Sequence, residues 1–74
     1  MRVLTWNVAG RTKAGLQRQI DAVLGLPADV VCLQEVTPTT VEPWTEALEG
    51  AGLHVAASPW PVDPRGSRRL AARS

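Results

Sequence analysis

Asn7 and Glu35 each stand at the end of a short apolar run, within the stretches VLTWNV (residues 3–8) and VVCLQEV (residues 30–36). A strand that only fills a core has no use for an amide or a carboxylate at its last position before a loop. Laid over each other, Val3-Leu4-Thr5-Trp6-Asn7-Val8 matches Val31-Cys32-Leu33-Gln34-Glu35-Val36, which places Asn7 and Glu35 at equivalent positions. In parallel strands such positions share one edge of the sheet and, because side chains alternate with period two, one orientation. Open α/β sheets bind ligands outside the carboxyl ends of their strands. One carboxylate and one carboxamide are hard oxygen donors, of the kind a magnesium ion takes from a protein while water and substrate phosphate complete its shell. The amide also offers a donor to a phosphate oxygen or a metal-bound water. The plain alternative is a capping asparagine and a solvated glutamate.

The elements that must carry this pair follow from a change of hydrophobic period. Arg2–Val8 is rich in β-branched and aromatic residues and runs into Ala9-Gly10, which predicts a strand ending in a turn. Leu16, Ile20, Val23 and Leu24 then fall on one helical face, closed by Gly25 and Pro27, so a helix is expected over about Lys13–Leu24. Asp29–Val36 reads as a second strand whose continuous Val-Val-Cys-Leu run suggests cover on both faces. The intervening chain is long enough for a parallel βαβ crossover, right-handed by rule. A second helix is expected from about Thr40, with Val41, Trp44 and Leu48 at helical spacing and Pro43 tolerated in the first turn. Leu53–Ala57 reads as a third strand, and Pro59, Pro61 and Pro64 end regular structure.

With 74 residues, the chain makes at most one small domain, and its 45% hydrophobic content places it among globular rather than disordered sequences. At this size a core is marginal, so additional chain, a partner or self-association is expected to complete it. Cys32 is the single cysteine and cannot form an internal disulfide; in its apolar run it reads as a buried thiol. No apolar run approaches the roughly 20 residues of a membrane span, and the N-terminus does not resemble a signal peptide, which makes a cytoplasmic location the default expectation. Net charge is +1, but four arginines against one aspartate over residues 59–74 leave that stretch at +3 and the remainder at −2. Residues 59–74 therefore read as a Pro/Arg-rich tail that could hold nucleic acid phosphates, or simply be solvated.

RVLTWNV, followed by an amphipathic helix and DVVCLQEV, resembles the first two motifs of the endonuclease/exonuclease/phosphatase superfamily. Members open with a strand of the form apolar-x-[ST]-[WY]-N and present a metal ligand in a strand of the form D-[IV]-[IV]-x-L-Q-E. Both occur here in order. The resemblance implies an α/β fold in which residues 1–58 form the βαβαβ start of a truncated four-layer α/β sandwich. Glu35 then resembles the principal magnesium ligand, with manganese as a possible substitute, and Asn7 the amide that fixes metal, water or phosphate. These two are the candidate catalytic and metal-binding residues. Gln34 resembles a local hydrogen-bonding support, Trp6 a packing residue, and His54 a structural or surface histidine. Leu70-Ala71-Ala72-Arg73 is a weak match to the family's next strand, G-[VI]-A-[IL]-x-S-R.

The resemblance further implies hydrolysis of phosphodiester or phosphomonoester bonds, in nucleic acid, a phospholipid head group or an inositol phosphate. The family's Asp-x-Asn and Ser-Asp-His triplets, which supply a general base and phosphate contacts, do not occur in the 74 residues. The expectation is thus the N-terminal portion of a magnesium-dependent phosphoesterase, inactive by itself. The contrasting reading is a truncated or degenerate non-catalytic α/β chain completed by a partner.

Overall fold

The computed structural model describes residues 1–59 and 61–74; Trp60, inside the segment read as a tail, lies outside the described residues. Strand β1 (Val3–Asn7), helix α1 (Lys13–Leu24), strand β2 (Val30–Val36), helix α2 (Val41–Gly50), strand β3 (His54–Ala57) and strand β4 (Arg68–Arg73) follow in that order. They form one four-stranded sheet in the order β1-β2-β4-β3, with β1 parallel to β2 and with β4 antiparallel to both its neighbours.

The period change from strand to helix and back sets the first three elements where the spacing predicts them. Ile20 and Val23 of α1, and Trp44 and Leu48 of α2, are buried in one cluster with Val31, Leu33 and Val36 of β2 and with Leu70 and Ala72 of β4. The alternate strand residues that enter this cluster all lie on one face, so the two helices cover the same side of the sheet. Complete burial of each leucine or valine contributes about 1.5–3 kcal/mol, and the cluster is the main source of cohesion. Pro43 sits at the third position of α2, where the missing N–H has no partner to lose.

Two expectations are corrected here. Strand β2 is covered on one face only: Val31 and Leu33 are buried, while Val30, Cys32 and Gln34 are half-buried, so the Cys32 thiol is partly accessible. Nor does regular structure stop at the prolines. Arg68–Arg73 alternates Leu70 and Ala72 inward with Arg69, Ala71 and Arg73 outward, and inserts between β2 and β3. Its arginines are therefore spaced along a strand rather than gathered on a loose end, and the Arg68 guanidinium donates to the Ser58 carbonyl at 2.8 Å.

Candidate functional site

The carboxyl end of β2 is where the strand stops being regular. Leu33 pairs with Leu70 and Val36 with Arg68, so β2 advances three residues while β4 advances two; one residue is extra, and the strand bulges. Without the bulge, Val36 would fall on the opposite face from Leu33. With it, both are fully buried. The adjustment is made at Glu35, whose φ of 57° is in the left-handed region, a conformation that costs a non-glycine residue roughly 1–2 kcal/mol.

The register between β1 and β2 also differs from the one the aligned motifs suggest. Asn7 lies opposite Gln34, not opposite Glu35, because β1 pairs Val3 with Val30 and keeps step to its end. Gln34 takes the supporting role: its Nε2 donates to Thr5 Oγ1 at 2.9 Å and to the Cys32 carbonyl at 3.3 Å, tying β1 to β2 on the face away from the helices. Glu35 follows it at the same end of the sheet. Past Asn7 the chain turns through two left-handed residues, Ala9 and Gly10, and the Gly10 N–H donates to the Glu35 carbonyl at 3.0 Å. A Cβ on Gly10 would stand 2.7 Å from the Thr37 methyl, so only glycine allows the two loops this approach. Asn7 and Glu35 are thus held at one sheet edge by backbone.

The Asn7 side chain is oriented by its own turn. Its Oδ1 accepts the Ala9 N–H at 3.0 Å, which leaves the amide NH2 as the end available to a ligand. Beside it a cavity of about 250 Å³ is lined by Trp6, Arg11, Arg18 and Gln19 among others. Trp6 is 36% exposed and forms this wall instead of packing in the core, a correction to the packing expectation. Gln19 is buried and donates to the Val8 carbonyl at 3.1 Å.

Glu35 has a partner that sequence inspection did not single out. Arg65 donates a charged hydrogen bond from its guanidinium to Glu35 Oε1, thirty residues away in the chain. The loop that brings it there is ordered by Asp63: its Oδ1 accepts the Arg65 N–H at 2.9 Å and the Ser67 N–H at 3.1 Å, and its carbonyl accepts the Gly66 N–H at 3.1 Å. The Ser67 N–H, with the Arg65 N–H and charge adding to it, holds the Asp63 carboxyl below the usual carboxylate range. The signal for this loop was present in Asp-Pro-Arg-Gly, a β-turn sequence with Asp, Pro and Gly each at a favoured place. His54 is exposed at the far end of the sheet, in the row of Val30 and Arg73, away from this site.

The donor set fits a hard cation in one respect and limits it in another. The Glu35 carboxylate already attracts a cation and its side chain is 32% exposed, which suits an ion that keeps most of its water. Among the described residues no group of three or more His, Cys, Asp or Glu side chains could hold a metal ion, so a protein-only cage is not formed.

Comparison with curated proteins and with solved structures gives no match. A family model does match, and it spans residues 4–72, from the second residue of β1 to the next-to-last of β4, so that the strand-end asparagine, the bulged glutamate and the inserted fourth strand all fall within it. The chain belongs to the endonuclease/exonuclease/phosphatase family.

Proposed function

We propose that this chain supplies the metal-binding half of a magnesium-dependent phosphoesterase site, with Glu35 as the carboxylate ligand and Asn7 as a hydrogen-bond donor to the phosphate. Family membership supports a nuclease- or phosphatase-type hydrolase. The single observation that carries the finer reading is the bulge: a left-handed Glu35 at the carboxyl end of a central strand, stapled through its carbonyl to the turn that follows Asn7. Strain of this kind persists where surrounding structure enforces it and is common at functional sites.

When bound, magnesium supplies Lewis-acid polarisation of the phosphoryl oxygen. The residues of the chain supply position. Glu35 offers one charged oxygen donor and keeps its backbone fixed through Gly10; Asn7, with Oδ1 committed to Ala9, presents its NH2 toward an incoming phosphate oxygen. Arg11 and Arg18, lining the cavity beside Asn7, set a positive wall where a phosphate ester approaches. A general base is not among these groups, so hydrolysis is expected only when the remaining sandwich is supplied in the same chain.

The test is a magnesium or manganese titration followed by NMR on wild type, Glu35→Gln and Asn7→Ala. Weak binding with shifts centred on Glu35 is expected, lost in Glu35→Gln and retained at reduced strength in Asn7→Ala. Equal responses from wild type and Glu35→Gln would refute the assignment.

A second reading, a non-catalytic chain completed by a partner, is supported by the face opposite the helices. Cys32, Gln34, Ala56, Ala71 and their neighbours line an open cavity of about 350 Å³ there. Retained folding together with a silent metal titration would favour it.

A further inference from the structure

We infer that Arg65 is a tethered counter-cation of the site, holding the Glu35 carboxylate while no metal is present and passing to an oxygen of the substrate phosphate once a divalent ion has taken that carboxylate. The inference rests on the reading of Glu35 as the metal ligand.

Three observations carry it. The first is that the contact is built. Arg65 occupies the third position of a turn closed by the Gly66 N–H to the Asp63 carbonyl, reinforced on both sides of Gly66 by the Asp63 carboxylate and spanned by the Val62 N–H to the Ser67 carbonyl at 2.8 Å. Gly66, with φ at 81°, lets this turn lie against Pro38: a Cβ there would sit 3.1 Å from the proline ring. Pro38 follows β2 closely, so the packing that seats the turn also aims residue 65 at the bulge. The second is that the tether is fixed but the head is not. The Arg65 backbone is bonded into the turn, while its side chain is 58% exposed and makes a weaker second contact to Asp63 Oδ2 at 3.5 Å. A guanidinium that leaves Glu35 therefore keeps one carboxylate beside it.

The third observation is charge. Glu35 and Asp63 against Arg65 leave the cluster at −1, and a divalent ion brings it to +1, the complement of one ionised phosphodiester. Arg65 holds Glu35 Oε1, and a metal ion on either oxygen of that carboxylate would repel the guanidinium, so the two cations weaken each other's hold on Glu35. The displaced guanidinium is a planar fork of donors, a shape matched to two phosphate oxygens, whereas a lysine would present a point charge. The two roles exclude each other in time.

The full chain can test this through binding, without turnover. Manganese affinity is measured by electron paramagnetic resonance of the free ion on wild type, Arg65→Gln, Arg65→Lys and Glu35→Gln. Inorganic phosphate is then titrated at saturating magnesium, with the amide signals of Asp63, Arg65, Gly66 and Ser67 as the readout. Arg65→Gln is expected to bind manganese about two- to fivefold more tightly than wild type, the range that releasing an exposed ion pair gives, and to lose the phosphate response. Arg65→Lys is expected to restore most of the competition with manganese but only part of the phosphate response. If Arg65→Gln binds manganese no more tightly than wild type while Glu35→Gln loses it, the inference is overturned and the Glu35 assignment stands. An undiminished phosphate response in Arg65→Gln overturns it as well. If wild type shows no Glu35-dependent manganese binding, the ligand assignment falls and the inference falls with it.

Discussion

Replacing Gly10 with alanine perturbs the site from behind, without touching a ligand. Gly10 has φ at 61°, where an alanine is disfavoured by roughly 1–2 kcal/mol. Its new Cβ would stand 2.7 Å from the Thr37 Cγ2, well inside ordinary contact, and overpacking of this kind costs about 1–3 kcal/mol. Against this, alanine loses less chain entropy on folding, a gain of about 0.4–1 kcal/mol. The balance is a destabilisation of about 1–4.5 kcal/mol, from a total of about 4–11 kcal/mol for a chain of this length. Thr37→Ser removes the offending methyl and keeps the hydroxyl that pairs with Thr40 at 3.0 Å. The double variant is therefore expected to recover about 1–3 kcal/mol relative to the sum of the single ones, with the backbone part remaining. Urea unfolding followed by circular dichroism measures all four corners of the cycle. A Gly10→Ala protein within about 0.5 kcal/mol of wild type, below what either effect predicts, or a cycle with no coupling, would refute the argument that this approach holds the Asn7 turn against Glu35.

Two further outcomes follow from the same structure. Asp63 has its pKa lowered from 3.8 by the Ser67 N–H, so it adds stability above that value and the contribution disappears as pH falls through the lower, folded value. Thermal melts of wild type and Asp63→Asn should accordingly differ near neutral pH and converge in acid below 3.8; a gap that does not change with pH would contradict this origin. The open face bearing Val3, Cys32 and Ala71 leaves apolar surface in water, and sedimentation is expected to show concentration-dependent association; a single monomeric species throughout the concentration series would argue against it.

How much of this could be read in the sequence depends on whether the signal was local. The β1-α1-β2 unit was legible because Leu16, Ile20 and Val23 repeat at helical spacing between two apolar runs. That Asn7 and Glu35 stand at strand ends was legible too, but not their register: β1 pairs Val3 with Val30 where the motifs align it with Val31, and a one-residue offset between strands changes no periodicity. The bulge was equally hidden, since it alters no composition and only the simultaneous burial of Leu33 and Val36 reveals it. Strand β4 was obscured because its inward residues are one leucine and one alanine among arginines, directly after three prolines. Arg65 was missed as the partner of Glu35 because thirty residues and two intervening elements separate them. That pairing is a property of the turn's seat on Pro38, which no periodicity encodes.

The place of β4 in the sheet has a further consequence, for the order in which the molecule can be assembled during synthesis. Among the described residues strand β3 is hydrogen-bonded within this sheet only to β4, and β4 is the last of these elements to leave the ribosome. A nascent chain can pair β1 with β2 and lay both helices on them, yet it must hold His54–Ala57 unzipped until Arg68–Arg73 arrives and slides between two segments already made. Until then β2 offers an unpaired edge along the strand that ends in Glu35, the kind of template that invites wrong partners. Closure of the sheet thus waits for β4, the strand that directly follows the turn carrying Arg65.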